Sequence, residues 1–95
     1  MPPDRFLIVD DDHDLAILLT EYLNGAGIVT STAADGATGL AQALEGNFDL
    51  VILDVMLPRL DGFELLRQLR KRSNVPVIML TARREREDRI TGLET

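Results

Sequence analysis

The pattern of hydrophobic positions contains three unbroken apolar runs, and a polar residue follows each run directly. The runs are 6–9 before Asp10 and Asp11, 50–53 before Asp54, and 77–80 before Thr81. Continuous apolar runs are typical of strands buried on both faces in a parallel sheet, whereas a half-exposed strand would alternate polar and apolar residues. Ligands of open parallel sheets bind beyond the carboxyl ends of the strands. The pattern therefore predicts that these polar side chains meet at one edge of the sheet.

Amphipathic helices are predicted between these strands. The first has an apolar stripe at i, i+3, i+4, i+7 and i+8, formed by Leu15, Leu18, Leu19, Tyr22 and Leu23. Asp12 or Asp14 is its expected N-cap, and Gly25 is expected to supply a left-handed residue at its end. The stretch 28–33 is β-branched but half polar, which favours an edge strand.

Three further helices are expected along the chain. The second opens at Asp35 and stops at Gly46, and the third opens with the capping pair Asp61 and Glu64. In the third helix we expect an inward face formed by Phe63, Leu66 and Leu69. A fourth, highly charged helix is predicted from about Arg83, with Ile90 and Leu93 as its apolar anchors.

The regular alternation of strand and helix predicts an α/β fold with a doubly wound parallel sheet and right-handed crossovers. With 95 residues, the chain forms one domain, residues 1–95. A net charge of −6 argues against nucleic-acid binding by this domain itself, because such binding depends largely on Lys and Arg. No signal peptide or membrane-length apolar run is found, and cysteine is absent, so we expect a cytoplasmic protein without membrane contact.

The acidic residues at the predicted sheet edge indicate a metal site. If Asp10, Asp11 and Asp54 converge, a proton or a cation must relieve their mutual repulsion. Magnesium suits a site with few carboxylates, because it retains several waters and commonly bridges to a phosphate. With the charge balanced, Asp54 is the carboxylate best placed to attack phosphorus and form an aspartyl phosphate.

Three motifs in order give the chain a resemblance to a known family. The first is Val9-Asp10-Asp11, which contains the acidic pair. The second is the segment 53–58 with Asp61-Gly62 after it, and the third is the stretch 80–82. Together they resemble a response regulator receiver domain, the CheY-like phosphoacceptor module with a flavodoxin-like fold. The resemblance is closest to regulators of the OmpR/PhoB type, which carry a winged-helix DNA-binding domain.

The resemblance implies a role for each matching residue. Asp54 would accept a phosphoryl group from a sensor histidine kinase. Asp11, Asp54 and the main-chain carbonyl of Met56 would hold Mg²⁺, with Asp10 acting mainly through a metal-bound water. Thr81 would turn toward the phosphoryl oxygens and thereby switch the following helix. Such a domain is not an enzyme in its own right, although it assists its own phosphorylation and dephosphorylation.

The family pattern continues beyond this sequence with a Lys-bearing fifth strand and a fifth helix. By that comparison the domain is C-terminally incomplete, and we expect the strand at 77–80 to present an open edge through which a homodimer forms. The family also dimerises through the region that includes residues 83–89. DNA would be reached only through an effector domain absent from this chain.

Two alternatives remain open from the sequence. One is a receiver-like interaction or dimerisation module that is not phosphorylated, as the missing family lysine would allow. The other is a phosphohydrolase of the haloacid-dehalogenase type, because 10–12 satisfies Asp-x-Asp after a hydrophobic strand. Asp14 stands where that family has Thr or Val, and the chain is short for its fold.

Overall fold

The computed structural model describes residues 2–80 and 90–94. Strands and helices alternate along the chain up to the fourth strand, as the sequence predicts. The elements are β1 (Arg5–Val9), α1 (His13–Gly25), β2 (Val29–Ala33), α2 (Gly36–Glu45), β3 (Leu50–Asp54), α3 (Gly62–Arg70), β4 (Val77–Leu80) and β5 (Ile90–Glu94).

The five strands form one sheet in the order β2-β1-β3-β4-β5. Strands β1 to β4 are mutually parallel, which confirms the predicted doubly wound parallel sheet, and β2 is an edge strand as expected. Phe6 lies opposite Leu50, and Val51 lies opposite Val77. This register aligns the carboxyl ends of β1, β3 and β4 at one edge.

The last strand corrects two predictions. Ile90 and Leu93 do not anchor a helix, because Ile90–Glu94 pairs antiparallel with β4, and residues 83–89 lie outside the described range. The i,i+3 spacing of two apolar residues is too short a pattern to specify a helix. Pairing with β4 instead satisfies backbone donors and acceptors of both strands. The edge of β4 is therefore not open, and a homodimer through that edge loses its structural basis.

The main core lies between one face of the sheet and helices α2 and α3. Alternate residues of the central strands are fully buried there, together with Leu65 and Leu69 of α3. The buried strand residues of this cluster are Leu7, Val9, Ala33, Val51, Leu53, Val77 and Met79. Ile8 and Ala16 are also buried but lie outside this cluster.

The helix starts follow the sequence closely. Asp12, Asp35 and Asp61 are the N-caps, and each carboxylate accepts a hydrogen bond from a backbone N–H three residues later. Gly46 ends α2 as predicted. Gly25 is still helical, and the left-handed residue is Gly27, with φ of 86°.

Two predicted apolar faces are only partly buried. Tyr22 is 75% exposed and Leu18 is 62% exposed, although both belong to the predicted stripe of α1. In α3, Phe63 is 58% exposed, and Leu65 takes the buried position instead. The periodicity identifies the helices, but it does not determine which part of each stripe meets the sheet.

Candidate functional site

Three carboxylates meet where β1 and β3 end. One carboxylate oxygen each from Asp10, Asp11 and Asp54 lies within 4.8 Å of the other two. Val9 pairs with Leu53, so the residues that follow this pair in the sequence lie at the same level of the sheet. These residues are Asp10 and Asp54. The structure thus brings together the three acidic residues that the sequence singles out.

Burial distinguishes these carboxylates. Asp10 and Asp54 are only 5% and 3% exposed, whereas Asp11 is exposed. Burial raises the pKa of Asp10 to about 6, against the effect of a 2.8 Å hydrogen bond that its carboxylate accepts from the Asp12 N–H. The nearby charge of Asp54 raises this pKa further. Asp10 is therefore sensitive to any charge that enters the site.

Asp54 is held at the start of the loop that joins β3 to α3. Its Oδ1 accepts a hydrogen bond from the Met56 N–H at 3.2 Å. The Val55 N–H donates to the Leu80 carbonyl at 2.9 Å, which ties the start of this loop to β4. The main chain of Met56 therefore lies beside the Asp54 carboxylate, while the Met56 residue is largely exposed.

The β3–α3 loop, residues 55–61, is packed closely against its surroundings. The Gly62 N–H donates to the Val55 carbonyl at 2.9 Å and closes the loop. A Cβ on Gly62 would lie 2.3 Å from the carbonyl oxygen of Asp54, so only glycine fits there. Within the loop, Arg59 adopts a left-handed conformation with φ of 69°. The hydrophobic pattern gives no sign of these contacts, although Asp61-Gly62 belongs to the family resemblance.

Thr81, and Arg83 after it, lie outside the described residues. The predicted switching role of Thr81 therefore stays a prediction. Thr81 follows β4 directly in the sequence, and β4 lies beside β3.

The three carboxylates fit a hard divalent cation. All of the side-chain ligands in this cluster are oxygens, which such cations prefer. Two of the three carboxylates are buried with like charges beside them, and a cation would relieve both their desolvation and their repulsion. The acidic cluster could thus hold a metal ion.

A parallel sheet with an acidic cluster at its carboxyl edge is the arrangement that the resemblance to a receiver domain predicts. The sequence matches the response regulator receiver domain family over residues 6–95, and the chain belongs to that family. It is thus a receiver domain of two-component response regulators.

Named relatives support this assignment. The chain is 50% identical over 90 residues to a transcriptional regulatory protein CpxR homolog of Haemophilus influenzae, covering 95% of this chain and 39% of that protein. It is 45% identical over 91 residues to the DNA-binding response regulator MtrA of Mycolicibacterium smegmatis, covering 96% and 40% respectively. The chain thus spans about two fifths of the length of these relatives.

Solved structures have the same fold. The receiver domain of the Francisella response regulator 1452 superposes with a TM-score of 0.80 at 37% identity, covering 86% of this chain and 69% of that one. The response regulator TrrA of Thermotoga maritima, in complex with Mg²⁺-BeF, gives a TM-score of 0.80 at 38% identity, covering 85% and 71%. In the described part of the chain, no helix has the length and apolar character needed to cross a membrane.

Proposed function

We propose that Asp54 accepts a phosphoryl group from a phosphohistidine of a sensor histidine kinase. A carboxylate oxygen of Asp54 attacks phosphorus, the new O–P bond forms as the P–N bond breaks, and the histidine nitrogen leaves with the bonding electrons. One observation carries the proposal: a buried carboxylate at the end of a central strand lies with two further carboxylates within 4.8 Å.

Mg²⁺ is the cation that we assign to the acidic cluster. Asp11 and Asp54, with the main-chain carbonyl of Met56, would hold it, and Asp10 would act through a bound water. When bound, the ion would neutralise charge on the carboxylates and on the transferred phosphoryl oxygens. A bound cation would also lower the pKa of Asp10, because it would oppose the burial that raises this pKa.

The output of the phosphorylated domain is part of the same proposal. Thr81 would respond to the new charge and bias the following segment between two states. In a longer protein, this change would control dimerisation and a DNA-binding effector domain, since two relatives are named as transcriptional or DNA-binding regulators. We propose a cytoplasmic location and a role as phosphoacceptor, with no independent enzymatic turnover.

The strongest competing function is a receiver that docks or dimerises without being phosphorylated. Lys71 is the only lysine of the chain and caps the C-terminal end of α3, whereas the first residue of α3, Gly62, lies against Asp54. A helix of this length spans about 13 Å, so Lys71 does not replace the lysine of the family pattern. The phosphohydrolase alternative is set aside, because the chain belongs to the receiver family.

Intact-mass measurement with acetyl phosphate and MgCl₂ tests the proposal. We expect the wild-type chain to gain the mass of one phosphoryl group and Asp54→Asn to gain none. Asp49→Asn is the matched control, because it makes the same change at an exposed carboxylate before β3, and it should behave as wild type. A folded wild-type chain that gains no mass would refute the proposal and favour the docking function.

A further inference from the structure

The first turn of α2 is packed against the β3–α3 loop. A Cβ added to Gly36 would lie 2.4 Å from the carbonyl oxygen of Leu60 and 2.8 Å from the Leu60 Cβ. Real Cβ atoms essentially never approach other atoms this closely, and the nearest atom here belongs to the backbone. Any side chain at position 36 would therefore force the loop and the helix apart.

An electrostatic attraction acts between the same two elements. Asp35, the N-cap of α2, has a pKa below its usual value, chiefly because its carboxylate accepts hydrogen bonds from the Thr38 N–H and hydroxyl. The positive charge of Arg59 contributes in the same direction. Arg59 and Leu60 are neighbours in the loop, so the charge attraction acts at the same part of the loop as the packing of Gly36 against Leu60.

The loop has little freedom to absorb a displacement at Leu60. Its ends are joined by the Gly62 N–H bond to the Val55 carbonyl, and the Leu60 N–H donates to the Pro58 carbonyl at 2.8 Å. On the opposite side, Gly62 is pressed against the carbonyl of Asp54. The same loop carries Met56, whose N–H holds the Asp54 carboxylate. A shift at Leu60 is thus transmitted to Met56 and to Asp54.

We propose that Gly36 is a positioning residue for the metal site. Its contact with Leu60 fixes the β3–α3 loop at the distance at which the Met56 main chain and the Asp54 carboxylate can share one Mg²⁺ ion. Mg²⁺ requires nearly ideal octahedral geometry with ligands at about 2.0–2.1 Å, so a displacement of less than 1 Å is enough to weaken binding. This inference rests on the proposed Mg²⁺ site and adds a residue of α2 that the acidic cluster does not contain.

The direct test compares two Gly→Ala variants at opposite ends of α2 by calorimetric titration with MgCl₂ alone. Gly36→Ala should weaken Mg²⁺ binding at least tenfold. Gly46→Ala is the control, because its Cβ would lie 2.5 Å from the Phe48 ring and 3.1 Å from the Gln42 carbonyl oxygen, which is a close approach away from the acidic cluster. It should stay within twofold of wild type. Circular dichroism confirms that each variant is folded at the titration temperature.

A measurement on the wild-type chain keeps the inference testable if Gly36→Ala does not fold. Coupling between two sites is reciprocal, so Mg²⁺ should slow hydrogen exchange of the Gly39 N–H in the first turn of α2. The Gly46 N–H, which bonds to the Gln42 carbonyl at the last turn, should be unaffected. Unchanged Mg²⁺ affinity in a folded Gly36→Ala variant would overturn the inference. An exchange rate of the Gly39 N–H that does not change when Mg²⁺ binds would overturn it as well. A wild-type chain that binds no Mg²⁺ would instead overturn the proposed metal site itself.

Discussion

The raised pKa of Asp10 predicts that the contribution of this group to stability falls as the pH rises. The folded protein binds the Asp10 proton up to a pH of about 6, whereas the unfolded chain loses it near the ordinary value of 3.8. Between these values the folded state binds more protons, so the free energy of unfolding decreases with rising pH. The stabilisation from this group is complete below about pH 4 and lost above about pH 6. The difference in pKa corresponds to at most about 3 kcal/mol.

Asp10→Asn isolates this contribution, because the amide oxygen can still accept the Asp12 N–H while the proton equilibrium is removed. Urea unfolding without Mg²⁺ from pH 4 to pH 8 should show the variant more stable than wild type above pH 6, by up to about 3 kcal/mol. At pH 4 the two should be nearly equal. Asp14→Asn, an exposed carboxylate in the first turn of α1, serves as control and should follow wild type. Parallel curves for wild type and Asp10→Asn would refute this account of the site.

Three further predictions concern stability, each measured by urea unfolding at pH 7. Leu65→Ala should cost about 2–5 kcal/mol, because Leu65 is fully buried, whereas Leu18→Ala should cost less than about 0.5 kcal/mol. Equal losses would contradict the burial described here. Asp61→Ala should lose about 1 kcal/mol by removing the bond to the Glu64 N–H, while Asp61→Asn should lose almost nothing. Arg59→Val should destabilise by at least about 1 kcal/mol, because a β-branched residue fits poorly at φ of 69°, and Arg59→Gly should not. A neutral Arg59→Val would show that the loop does not require that backbone conformation.

Much of the fold follows from local pattern. The runs at 6–9, 50–53 and 77–80 form strands of one sheet, because continuous apolar runs of this length are typical of parallel-sheet strands. The helix starts also follow, since a capping carboxylate acts within its own turn. The conformation of 90–94 does not follow, because it depends on the free edge of β4, which lies outside the local sequence.

Some features of the candidate site could likewise be predicted from the sequence, and others could not. Asp10, Asp11 and Asp54 could be selected from the sequence, because they follow apolar runs whose carboxyl ends face the same edge of the sheet. The raised pKa of Asp10 could not, since it arises from burial by distant parts of the chain. The contact between Gly36 and Leu60 could not be predicted either, because it depends on how the β3–α3 loop packs against α2.

The antiparallel return of β5 affects the order in which the sheet can assemble. Pairing β1 with β3 brings Phe6 to Leu50, which requires a long chain segment to close, whereas pairing β4 with β5 brings Leu80 to Ile90. Strands that are close in sequence pair quickly, within about 1–10 μs, so this pair can form before any of the crossover pairings. During folding, the apolar β4 strand would then be shielded on one side before the parallel sheet exists. Early pairing of this kind lowers the chance that β4 joins a strand of another molecule.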